Sequence, residues 1–120
     1  MAIPSGSGTE VLKRGYFKLS DSTETAILTG VANHIYTVLS VTFCETAGST
    51  DPETIGMHLD PSNAGTEYEI LSRQNVVLGA NATFVFNDRL VLSGTDRLKV
   101  RAGAGCAIDI VISFIDQDWS

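Results

Sequence analysis

Ile35-Tyr36-Thr37-Val38-Leu39-Ser40-Val41-Thr42-Phe43-Cys44 is the stretch that decides the fold. Apolar and hydroxyl side chains follow one another with a period of two, the side-chain period of a strand with one buried face. Strict alternation puts Ile35, Thr37, Leu39, Val41 and Phe43 on one face. It puts His34, Tyr36, Val38, Ser40, Thr42 and Cys44 on the other. Near the C-terminus Ile108, Ile110, Ile112 and Phe114 repeat the pattern against Asp109 and Ser113. The same reading predicts shorter strands over 16–20, 25–29, 54–59, 68–78, 83–86, 89–92 and 97–102. Between them lie Gly, Asn, Asp and Pro, which supply the positive or fixed φ angles of turns. No stretch keeps a 3.6-residue period for three turns. The predicted fold is all-β: a single antiparallel β-sandwich or jelly-roll-like domain of about eight strands over residues 15–120.

The composition agrees. The chain has 120 residues, of which 18% are charged and 43% hydrophobic, with 12 Thr and 11 Ser filling polar positions. β-branched residues are stiff at χ1 and suit strands. Residues 1–14 carry no strand period and include Pro4, Gly6 and Gly8, so a flexible N-terminal arm is expected there. Its anchors would be Ile3, Pro4, Val11, Leu12, Lys13 and Arg14. Fully extended, such an arm reaches about 45 Å, enough to cross a neighbouring subunit. A frayed terminus is the plainer alternative.

The net charge of −6 argues against general affinity for nucleic acid. No apolar run is long enough to span a membrane. The first residues lack the pattern of a signal peptide, so folding in a cytoplasm is expected, with Cys44 and Cys106 reduced. Residues 21–72 hold eight carboxylates and no Lys or Arg, whereas 1–20 and 73–101 are net basic. Folding either sets these unlike charges on the surfaces of neighbouring subunits or interleaves them within one chain. Arg97, Lys99 and Arg101 share one face of a strand, and would meet an acidic partner or stay solvated. Trp119, the single Trp, either closes the core or anchors a contact.

Catalytic and metal signatures do not emerge. His34 and His58 are far apart and are expected at the surface or rim. Cys44 and Cys106 lack zinc-site spacing. There is no nucleophile elbow and no phosphate loop. The expectation is a protein that is not an enzyme and carries no cofactor and no metal.

Three stretches carry a resemblance: Ser7–Arg14 after a Pro/Gly/Ser arm, Ala32–Val41, and Asn87–Val100 with its repeated Asp-Arg-Leu. In this order they resemble the small β-sandwich structural proteins of tailed bacteriophage virions, of the head decoration or cement type. The resemblance implies a homo-oligomer, dimer or trimer, that lies on the capsid surface of a virion and binds the major capsid protein. It implies no contact with nucleic acid or membrane. A glycan-binding module and a tail, neck or fibre component are the alternatives.

Overall fold

The computed structural model describes residues 9–48, 53–103 and 105–119, with the backbone alone for 72–76. Nine strands form: β1 Thr9–Leu19, β2 Thr25–Thr29, β3 His34–Glu45, β4 Glu53–Asp60, β5 Tyr68–Leu78, β6 Thr83–Phe86, β7 Leu90–Ser93, β8 Arg97–Ala102 and β9 Ile108–Asp118. The first sheet, A, runs β1-β9-β3-β6, with β7 also on β3; the second, B, runs β2-β8-β4-β5. All pairings are antiparallel.

The pairings explain the shape. β4 pairs with β5, β3 with β6 and β7, β2 with β8, and β1 with β9. The chain is thus one long hairpin, folded over so that its successive rungs alternate between two layers. That is a jelly roll, the more specific of the two all-β expectations. β6 and β7 share one strand position beside β3, interrupted at 87–89. The two Asp-Arg-Leu stretches lead into β7 and β8, which lie in different sheets.

The core lies between the layers. Phe43, Val41, Val38, Ile110, Ile112 and Leu92 from sheet A meet Ile55, Met57, Leu98 and Val100 from sheet B, all 0–1% exposed. The alternation expected for β3 is only half kept. The pairing of β3 with β9 shifts between Val38 and Ser40, where a bulge absorbs Leu39. One extra residue inverts every side chain beyond it. Tyr36 and Val38 are therefore buried before the bulge, and Val41 and Phe43 after it, while Ile35 and Thr37 turn outward.

The N-terminal boundary also moves. Thr9 to Arg14, expected in a flexible arm, form the first half of β1 and pair with Asp118 to Ser113. The strand was hidden because β1 is an edge strand with mostly exposed residues, so no buried stripe marks it. Ile3 and Pro4 lie outside the described residues.

Turns hold the layers in place. The Gly30 N–H donates to the Asp96 carbonyl at 2.7 Å, locking the β2–β3 turn onto the β7–β8 turn. A Cβ at Gly30 would press on the Gly94 carbonyl and lie 2.9 Å from that of Asp96. Both contacts are backbone, so neither yields easily. Gly30→Ala is expected to cost about 2 kcal/mol. Gly79→Ala, whose Cβ meets nothing within 4 Å, is the matched control and should show no loss. Thermal denaturation of the pair checks this; equal melting points would contradict it.

Candidate functional site: one apolar sheet face and one charged one

The outward face of sheet A is built by register. Tyr16 stands beside Val111, Val111 beside Thr42, and Thr42 beside Val85. A second row crosses the sheet as Leu12, Ile115, Thr37 and Val91. Leu12, Tyr16, Val85 and Val91 are 75%, 69%, 50% and 58% exposed. Arg14 lies between the rows with its guanidinium 5.7 Å from the Tyr16 ring centre. A shallow depression of about 490 Å³ opens among Leu12, Arg14, Tyr16, Leu39 and Ser113. The only ion pair on this face with both partners outward is Lys18–Asp109 at 2.9 Å, among the described residues. Single exposed apolar residues are ordinary; here they align in two rows across the sheet, each interrupted by one threonine.

Sheet B is the reverse. Arg97, Lys99 and Arg101 alternate with buried Leu98, Val100 and Ala102, as expected. β8 is an inner strand, however, and its Lys99 and Arg101 are matched within the chain. Lys99 Nζ lies 3.2 Å from Asp60 Oδ2 and 3.3 Å from Glu24 Oε1, and Arg101 donates to Glu24 Oε2. Arg97 stands opposite Asp60 in register. Burial pushes the Glu24 carboxyl up, but His58, Lys99 and Arg101 beside it outweigh that and hold it below its ordinary 4.5. Asp60 behaves alike: burial raises it, and the Lys99 ammonium and Gly65 N–H bring it below 3.8. The Asp60 hydrogen bond in turn raises Lys99. Lys99 and Arg101 are therefore already engaged within the chain.

His58 departs from expectation more sharply. It faces outward from β4 yet is 2% exposed, roofed by Glu24 and Glu67. His34, in contrast, sits at the rim. Its Nδ1 is 2.7 Å from Asp116 Oδ1, and Lys13 Nζ is 2.7 Å from Asp116 Oδ2. Lys13, an expected arm residue, is thus tied into the fold through β9. Arg14 and Leu12 do lie on the apolar face, and Val11 is half-exposed. The Trp119 N–H of the backbone donates to the Asn33 carbonyl at 2.9 Å, so Trp119 fastens the chain end to the β2–β3 turn. Both cysteines are free thiols; Cys106 is buried, and its Sγ donates to the Asp21 carbonyl at 3.4 Å. Burial pushes the Cys106 thiol up.

The charge segregation along the sequence resolves into interleaving. Acids of the 21–72 segment meet Lys99 and Arg101, and acids of β9 meet Lys13 and Lys18.

Neither the family models nor the curated proteins give a match. Solved structures do share the fold. One, from Bacillus endospore appendages described as disulfide-linked pili, is 16% identical, covers 100% of this chain and 97% of its own, and has a TM-score of 0.55. The capsid structure of Helicobacter pylori bacteriophage KHP30 is 7% identical over 95% of each chain, with a TM-score of 0.55. A chain of infectious bursal disease virus is 8% identical over 97% of this chain, TM-score 0.56. This chain spans about a third of that viral protein's length. The jelly roll described above is therefore a fold found in viral capsids and in a bacterial pilus.

Proposed function

We propose that this chain is a structural virion protein that decorates and cements a phage capsid, using the outward face of sheet A as its contact surface. The observation that carries the reading is the pair of exposed apolar rows, Tyr16 to Val85 and Leu12 to Val91. A fold shared with viral capsid chains supports it. The partners are the major capsid protein and further copies of this chain in a closed cyclic oligomer. Many weak contacts repeated over a particle then act as one strong attachment. Residues 1–8, which precede the edge strand β1, are the remaining part of the arm in this reading, with Ile3 and Pro4 as its anchors.

The test is co-sedimentation with capsids that lack the protein. Leu12→Asp with Val91→Asp should leave the fold intact by circular dichroism and reduce particle occupancy at least tenfold. Occupancy equal to that of the unaltered chain would overturn the reading. Deleting residues 1–8 separates the arm from the face: loss of binding there too assigns the arm a share.

A fibre component is the second reading, and Cys44 favours it. By register Cys44 stands beside Asp109 and Thr83, on the same outward face of sheet A, and it is a free thiol. The endospore pili that share this fold are described as disulfide-linked. Cys44-dependent ladders on a non-reducing gel would favour the fibre.

A further inference from the structure

One nitrogen on the outward face of sheet B lacks the partner its burial demands. His58 is 2% exposed, and its Nε2 makes no hydrogen bond. Two carboxylate oxygens nevertheless converge on it: Glu24 Oε2 at 3.1 Å and Glu67 Oε2 at 3.2 Å. Neither is aligned to accept from the ring. A buried polar atom without a hydrogen bond is costly, so its surroundings call for an explanation.

The spacing supplies one. Zinc ligands sit about 2.0–2.2 Å from the ion in a tetrahedral array, which places them about 3.3 Å from one another. The two distances from Nε2 match such edges, and all three atoms lie within 4.8 Å of each other. One imidazole nitrogen and two carboxylate oxygens form a donor set that suits zinc and leaves a fourth position for water.

Cations stand beside the donors as well: Lys99 and Arg101 both reach Glu24, and Lys99 also reaches Asp60. Lys99 holds the other oxygen of Glu24 and so fixes that carboxylate's orientation. Arg101 holds Oε2 itself and is a competitor for it.

We infer that Glu24, His58 and Glu67 bind one divalent ion of the zinc class. The ion ties three segments that are remote in sequence: the residues before β2, the middle of β4, and the residues before β5.

The experiment is calorimetric titration of the metal-free full chain with zinc chloride. One equivalent should bind. Glu67→Gln, which alters a partly exposed side chain and should fold, is expected to weaken binding at least tenfold. His58→Gln should do the same. Arg101→Gln should tighten binding several-fold by removing the competitor, and His34→Gln should leave it unchanged. Absence of one-site binding to the unaltered chain overturns the inference. So does equal binding by Glu67→Gln, which would place the ion elsewhere.

Discussion

Glu45→Ala is expected to lower the stability of the fold by about 3 kcal/mol. Glu45 closes β3 and is 2% exposed. Its carboxylate accepts from the backbone N–H of Ala47 at 2.7 Å, Gly48 at 3.2 Å and Asn81 at 2.8 Å. One side chain thereby fixes the start of the β3–β4 connection and the β5–β6 turn. Hydrogen bonds to an ionised acceptor are about twice as strong as neutral ones. Alanine removes all three at once, and water only partly replaces them at a buried position. For a domain of this size the melting point should fall by about 10 °C. Glu45→Gln keeps one accepting oxygen and should lose roughly half as much. Urea denaturation of the two variants checks the order, and an alanine variant within 0.5 kcal/mol of the unaltered chain (about the error of such a measurement) would refute it.

Asp116→Asn is expected to cost about 3 kcal/mol near neutral pH and to flatten the response to acid. Asp116 is 3% exposed and joins three strands, with Lys13 from β1 and His34 from β3 on its two oxygens. Burial pushes its carboxyl up, but the hydrogen bonds from Lys13 and His34 outweigh this and hold it below 3.8. Lys13 is raised in turn by the same contact. A folded-state pKa below the unfolded one means that the charged form is favoured by folding. The stabilisation is complete above the unfolded value and is lost as pH falls through the folded one. Asp60 and Glu24 are lowered as well and act in the same direction. The unaltered chain should thus weaken steeply below about pH 4, and the Asn variant less so. Urea midpoints at pH 7, 5 and 3 measure both slopes; parallel slopes would sink the assignment.

The strands were legible because their buried faces are written in Val, Ile and Phe at a spacing of two. The phase of β3 was not, since a bulge at Leu39 leaves no mark in composition. β1 escaped notice before Tyr16 because its inward Lys13 ends on an ion pair instead of in the core. The apolar face left a signal that alternation alone undervalues. Val111 and Ile115 break the polar side of β9, where Asp109 and Ser113 suggested solvent. The cluster around His58 left none. Its partners lie at positions 24 and 67, and only the folding-over of the long hairpin brings them to β4.

The centres of the two layers present different surfaces, and under the proposed attachment that difference sets which side of a coated particle faces out. Sheet A presents apolar rows, whereas the centre of sheet B presents acids and bases already matched to one another. Under the proposed attachment, a molecule seated by sheet A turns these matched charges to the medium, and the coated particle acquires a fixed inside and outside.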